Sequence, residues 1–139
     1  IIADGLHVHP EALRLARAAK AGPGGLFLVS DAMAVAGTTA ARFLLGGREI
    51  RRAEGRLTLP DGTLAGADLD LARAMRVYCV GTGAPLAETL SMATARPADV
   101  AGLDGRGRLR AGGRADFVHL DDRLFLQGTW SSGRAATPK

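Results

Sequence analysis

The chain of 139 residues is poor in several things at once. It has one cysteine, Cys79, which excludes an internal disulfide framework and any cysteine-based metal cluster. Aromatic residues make up only 4%, yet 47% hydrophobic and 23% charged residues are the balance of a soluble globular domain or a piece of one, not of a disordered chain. Lysine is nearly absent: the net charge of +4 rests on 16 Arg and 2 Lys, scattered with no block that would track phosphates, so a nucleic-acid partner is not expected. No apolar run approaches the roughly 20 residues of a membrane span. Initiator Met, basic leader and small-residue cleavage site are all missing before Ile1-Ile2-Ala3, which is no signal peptide. The expectation is a cytoplasmic protein whose chain is entered midway, with no internal repeat and no low-complexity linker.

What is present reads as alternating strand and helix at the start. Ile1–Ala3 looks like the end of a strand and runs directly into Asp4-Gly5-Leu6-His7. Pro10 suits the first turn of a helix, and Leu13, Ala16, Arg17 and Lys20 follow at spacings of three and four, predicting a helix from about Pro10 to Ala21. After Gly22-Pro23-Gly24-Gly25, the apolar run from Leu26 through Ser30 predicts a strand covered on both faces. Beyond Asp31 the pattern shortens: Arg42–Leu45, Arg48–Ile50 and Arg56–Leu59, parted by glycine-containing breaks, predict small antiparallel strands. Asp68 is placed to cap a helix over Leu69–Val80, ended by Gly81 and Gly83, and a further helix is expected over Pro85–Thr94, with a short helical turn after Pro97. Gly102–Gly113 reads as loop with a brief extended piece at Arg108-Leu109, Ala115–Leu120 as the last strand, and Ser131–Lys139 as a mobile tail.

A carboxylate just past a buried parallel strand stands where α/β proteins assemble their sites, which makes Asp31 the leading candidate. The same position equally suits an aspartate that caps a following turn. The first strand ends in a comparable way, so His7 and Asp31 would point into one crevice from neighbouring strands. Nothing in the chain supplies the convergent His and carboxylate set that a metal requires. His9, at a helix start, and His119, on an alternating strand, are expected to face solvent, and Cys79 to be a small core residue. The backbone amides of Leu64-Ala65-Gly66 could meet an anion or a substrate oxygen, or form a plain loop-to-helix connection. Gly22–Gly25 lacks the ending of a phosphate loop.

Asp4-Gly5-Leu6-His7-Val8, Leu28-Val29-Ser30-Asp31-Ala32, Ala36-Gly37 and Gly62-Thr63-Leu64-Ala65-Gly66 together resemble the N-acetylglucosamine-6-phosphate deacetylases of the amidohydrolase superfamily. Met92-Ala93-Thr94, Arg96-Pro97-Ala98, Gly107-Arg108-Leu109, Gly112 and Ala115-Asp116 resemble a less specific signature that many amidohydrolases share. The resemblance implies an α/β protein: the C-terminal part of a (β/α)8 (TIM) barrel metal-dependent hydrolase plus strands of a small β-sandwich domain. Residues 1–101 would supply the last strands and helices of the barrel, with a β-rich insertion at about 42–60, and residues 102–139 the small β domain and tail. Ile1–Ala3 would be the seventh barrel strand and Leu26–Ser30 the eighth.

The implied chemistry is hydrolysis of the acetamide of N-acetylglucosamine 6-phosphate to glucosamine 6-phosphate and acetate. Asp31 would be the catalytic acid/base; Asp4, Gly5, Leu6 and His7, with Leu64, Ala65 and Gly66, would bind the amino-sugar phosphate, His7 most directly. Many relatives carry Ser at the position of Ala65 and Thr at that of Ser30, so a side-chain hydroxyl contact is missing at Ala65 while backbone contacts would remain. The resemblance also implies a divalent metal, zinc or similar, and a homodimer of the full-length enzyme. The metal ligands, a Glu and two His, and a phosphate-binding Arg would lie upstream of Asp4, so no metal ligand is expected in these 139 residues and on their own they should be inactive and unstable. A deaminase or cyclic amidase of the same superfamily, or a non-catalytic standalone module, would be the alternatives.

Overall fold

The computed structural model describes residues 1–20 and 22–136 of the chain. It is α/β, with parallel strand pairing at its start and two antiparallel sheets further on. Ile2 and Val29 form a single parallel bridge, in which the Ile1 nitrogen donates to the Phe27 carbonyl (2.6 Å) and the Val29 N–H to that of Ile1 (3.1 Å). The two expected strands are therefore neighbours, but each is reduced to one paired position. The expected cover on both faces of the second is not found: Leu28 is buried, whereas Val29 remains 38% exposed.

Helix α1 (Pro10–Ala19) begins where expected, with Pro10 in its first turn and the His9 ring accepting from the Glu11 N–H. Ala21, where its end was expected, lies outside the described residues. Strands β1 (Arg42–Leu45), β2 (Arg48–Ala53), β3 (Arg56–Thr58) and β4 (Leu64–Ala67) form an antiparallel sheet in chain order. Two-residue turns at Gly46-Gly47 and Glu54-Gly55, all four residues at positive φ, set its first two hairpins. Helix α2 (Leu71–Thr82) starts later than expected: Asp70 is the cap, accepting from the Arg73 N–H at 2.7 Å, while Asp68 pairs with Arg52. Helix α3 (Leu86–Ala93) follows, and α4 (Ala95–Val100) begins before Pro97 rather than after it. A proline at the third helical position is tolerated because its missing N–H has no intrahelical partner there.

Ala115–Leu120 shortens to β5 (Phe117–Leu120), and it is not the last strand, since β6 (Leu126–Ser131) and β7 (Arg134–Ala135) complete a second antiparallel sheet. Arg134 and Ala135 thus fall in a strand within the segment expected as tail, whose residues 137–139 lie outside the described residues. No strand forms at Arg108-Leu109. The main core joins Ala3 and Leu28 to Leu13 of α1, Met75 and Tyr78 of α2 and Met92 of α3, and a second cluster of Val35, Ile50 and Leu57 fills one side of the first sheet. Arg17 binds Glu88 at 2.8 Å, tying α1 to α3, and the Arg76 guanidinium lies 4.2 Å from the ring centre of Phe125, tying α2 to the connection between β5 and β6.

Candidate active site

The register of the parallel pair decides where the candidate residues meet. Asp4 stands two residues past Ile2 and Asp31 two residues past Val29, so the bridge between Ile2 and Val29 sets both at the same level, beyond the C-terminal ends of adjacent strands. The third segment arrives from the first sheet. Ala32 and Ala67 form a second parallel bridge, and the Ala67 N–H donates to the Asp31 carbonyl at 2.9 Å. Residues 4–7, 31 and 64–66, far apart in sequence, are thereby strung along two consecutive bridges.

Asp31 is exposed and has φ +50°, a left-handed conformation that few residues other than glycine adopt, though aspartate tolerates it better than most. Its backbone is held by Ala67, while its carboxylate takes part in no hydrogen bond among the described residues. Turn-capping, the other role open to Asp31, is not what it does here: the Ala32 N–H meets Ser30 Oγ instead. The carboxylate is thus open to a ligand, while the backbone beneath it is fixed in a sparsely populated conformation.

Leu64, Ala65 and Gly66 are not loop but the outer strand β4. Gly66 has φ +145°, and a Cβ there would lie 2.6 Å from Met33 Sδ and 3.4 Å from the Asp31 carbonyl oxygen. Glycine is what lets β4 approach the Asp31 loop so closely. Leu64 is exposed, Ala65 half-buried and Gly66 buried, so the open end of this segment is at Leu64.

Asp4 differs from Asp31 in every respect. It is buried, 6% exposed, and its carboxylate is fully engaged: Oδ1 accepts from the Leu6 and His7 N–H groups, both at 2.9 Å, and Oδ2 lies 2.6 Å from His7 Nδ1. Burial alone would push its pKa up, but the hydrogen bonds from the His7 ring and the two N–H groups outweigh it and hold the carboxyl below its ordinary range. The sign follows: Asp4 favours the fold above the normal carboxylate range, and that contribution is lost as the pH falls below about 4. The sequence reading set Asp4 and His7 side by side on the substrate and did not foresee that they bind each other. The Asp-x-x-His spacing across a glycine turn was the available signal. Gly5 is exposed and Leu6 half-buried, and His9 and His119 face solvent as expected. Cys79, expected in the core, is only half-buried and lies against Thr89, with which it shares a 3.2 Å hydrogen bond.

Among the described residues no group of three or more His, Cys, Asp or Glu is arranged to hold a metal ion. The nearest approach, Asp4 with His7, fits a metal badly, since three donors already occupy the carboxylate and Nδ1 is turned to it. No helix among the described residues is long and apolar enough to cross a membrane.

Comparison with known proteins places these residues in context. The chain is 38% identical over 138 residues to a putative N-acetylgalactosamine-6-phosphate deacetylase of Escherichia coli K12, covering 99% of this chain and 81% of that protein. It is 38% identical over 136 residues to the N-acetylglucosamine-6-phosphate deacetylase of Rattus norvegicus, of whose length it spans 32%. The structure superposes with a TM-score of 0.85 and 31% identity on the Mycobacterium smegmatis N-acetyl-D-glucosamine-6-phosphate deacetylase in complex with N-acetyl-D-glucosamine-6-phosphate, covering 97% of this chain and 36% of that one. The chain thus spans about a third of the length of the rat and mycobacterial proteins. The family model for amidohydrolases matches residues 57–127, just over half of the chain, and runs from the first sheet through the helices into the second. With a match of that extent and relatives aligned over nearly every residue, this chain belongs to the amidohydrolase family.

Proposed function

We propose that the full-length enzyme removes the acetyl group of N-acetylglucosamine 6-phosphate by hydrolysis, giving glucosamine 6-phosphate and acetate, with Asp31 as its general acid/base. One observation carries this reading: an exposed carboxylate, without a hydrogen-bond partner among the described residues, sits at the strand ends between the two segments nominated to bind substrate, joined to both by backbone bridges. Asp31 takes a proton from the attacking water as its oxygen bonds to the acetyl carbon, then gives that proton to the nitrogen as the C–N bond breaks. An amine departs from a tetrahedral carbon readily only when protonated, and a positioned acid/base contributes roughly 10²–10⁴ in rate. His7, Gly5, Leu6 and the Leu64–Gly66 strand form the substrate side of the crevice.

In this reading the paired segments at Ile1–Ala3 and Leu26–Ser30 are the seventh and eighth strands of a (β/α)8 barrel, whose C-terminal mouth carries the site. The second sheet, within residues 102–139, belongs to a small β domain. The family's divalent ion, zinc or similar, finds no ligand set among the described residues, and its ligands belong to the remainder of a soluble, cytoplasmic, homodimeric enzyme.

The test is Asp31→Asn in the full-length enzyme, assayed with N-acetylglucosamine 6-phosphate and with its galactosamine epimer. Turnover should fall by about 10³-fold or more with metal content unchanged. Activity within tenfold of wild type would remove Asp31 from this role. A strong preference for the galactosamine epimer would redirect the substrate assignment and leave the chemistry standing.

A further inference from the structure

The pair formed by Asp4 and His7 carries more than the proposed reaction uses. A substrate-binding carboxylate should present free oxygens to a ligand. Asp4 presents none: it is buried, with Oδ1 shared by the Leu6 and His7 N–H groups and Oδ2 taken by the His7 ring at 2.6 Å. An ionised carboxylate only accepts hydrogen bonds, so the atom facing Oδ2 must donate, and that atom is Nδ1. The His7 side chain keeps 18% of its surface exposed, and with Nδ1 spent, Nε2 is the ring nitrogen left for a ligand.

We infer that Asp4 is a positioning residue: it fixes the His7 ring in one orientation with the proton on Nδ1, so that Nε2 alone is offered to the substrate. Asp4 touches no substrate itself and acts through His7, as buried carboxylates do behind catalytic and metal-binding imidazoles. The inference rests on the reading of residues 4–7 as the substrate side of the site. It differs from the sequence expectation by taking Asp4 off the list of direct contacts. The two backbone bonds to Oδ1 matter because they prevent the carboxylate from rotating away, so the ring is oriented by a group that is itself locked.

Asp4→Asn in the full-length enzyme is the discriminating change. The asparagine oxygen must stay on the two backbone N–H groups, since its amide would meet them donor to donor, and the NH₂ then replaces Oδ2 opposite Nδ1. Nδ1 must become an acceptor, and the ring proton moves to Nε2. Histidine-selective ¹⁵N NMR at pH 8.5, with the His7 signals identified by their loss in His7→Gln, reads the ring directly. The wild-type ring should carry a proton on Nδ1, and the Asp4→Asn ring should be the neutral Nε2–H form. KM for N-acetylglucosamine 6-phosphate should rise on the order of tenfold while kcat stays within a few-fold.

A wild-type ring protonated on Nε2 alone would overturn the inference, and so would an Asp4→Asn enzyme that keeps the wild-type ring state or the wild-type KM. If Asp4→Asn does not fold, the wild-type spectrum decides by itself. Absence of turnover in the wild-type enzyme would instead sink the deacetylase reading, and the ring spectrum, which needs no substrate, would still settle what Asp4 does.

Discussion

Gly66 shows how far a single residue governs the approach of one element to another. Its φ of +145° lies in a region that residues with a side chain rarely adopt, and the space where a Cβ would go is held by Met33, next to the Asp31 backbone. Gly66→Ala must therefore push Met33 aside and strain β4 where β4 secures Asp31 through Ala67. Strain of this kind costs about 1–3 kcal/mol. Thermal unfolding of the full-length Gly66→Ala enzyme should show a loss in that range, and if Asp31 is the proposed acid/base, kcat should fall with it as Asp31 is displaced. A variant with wild-type stability and kcat would show that the close approach is without consequence. The sequence nominates Gly66 for a substrate segment; its role as spacer is not legible there, because nothing in the letters says that Met33 would be its neighbour.

Among the elements, the helices rest on contacts between distant segments, and one of these contacts is imperfect. Tyr78 of α2 is fully buried, and its hydroxyl has no hydrogen-bond partner among the described residues. An unsatisfied buried hydroxyl costs about 1–3 kcal/mol, so Tyr78→Phe in the full-length enzyme should leave Tm unchanged or raise it. Destabilisation by more than about 1 kcal/mol, measured by denaturant unfolding, would mean that the hydroxyl is satisfied in solution. Helices were the readable elements, since Pro10, Gly83 and Pro85 mark their limits by local chemistry. Where two aspartates competed for one cap, local chemistry was not enough: Asp68 is drawn away by Arg52, whose guanidinium also donates to the Thr38 carbonyl at 2.5 Å, and Asp70 caps α2 instead. Strands β4, β6 and β7 escaped for a related reason. Leu64–Ala67 has no alternation to announce it, and β7 exists because Ser132 and Gly133, both at positive φ, close a turn that folds Arg134 back on Ser131. Candidate residues were identified through strand ends and the family resemblance, whereas their convergence depends on two isolated bridges that no periodicity encodes.

At the scale of the whole molecule, the surface is larger than the mass accounts for. A compact monomer of 14.4 kDa exposes roughly 6,800 Å². This chain exposes 9065 Å². The excess, on the order of 2,000 Å², is of the size that obligate interfaces bury. Much of it is apolar: Leu15, Leu44, Val80, Val100 and Leu109 are each more than two-thirds exposed, and a groove of about 700 Å³ between α3 and β5 is lined by Leu86, Leu90, Leu109, Phe117 and Val118. Among the described residues, the segments at Ile2 and Val29 pair as strands only with each other, which adds edges that no further strand covers. A net charge of +4 does little to keep such surfaces apart. The 139-residue polypeptide by itself should therefore bind a hydrophobic dye strongly, self-associate, and melt without a sharp transition, while the full-length enzyme binds little dye and unfolds cooperatively. The comparison needs only dye fluorescence, sedimentation and a thermal scan of the two proteins. A monomeric, dye-silent, cooperatively melting 139-residue polypeptide would show that the exposed leucines are tolerated and that this chain stands as a domain of its own.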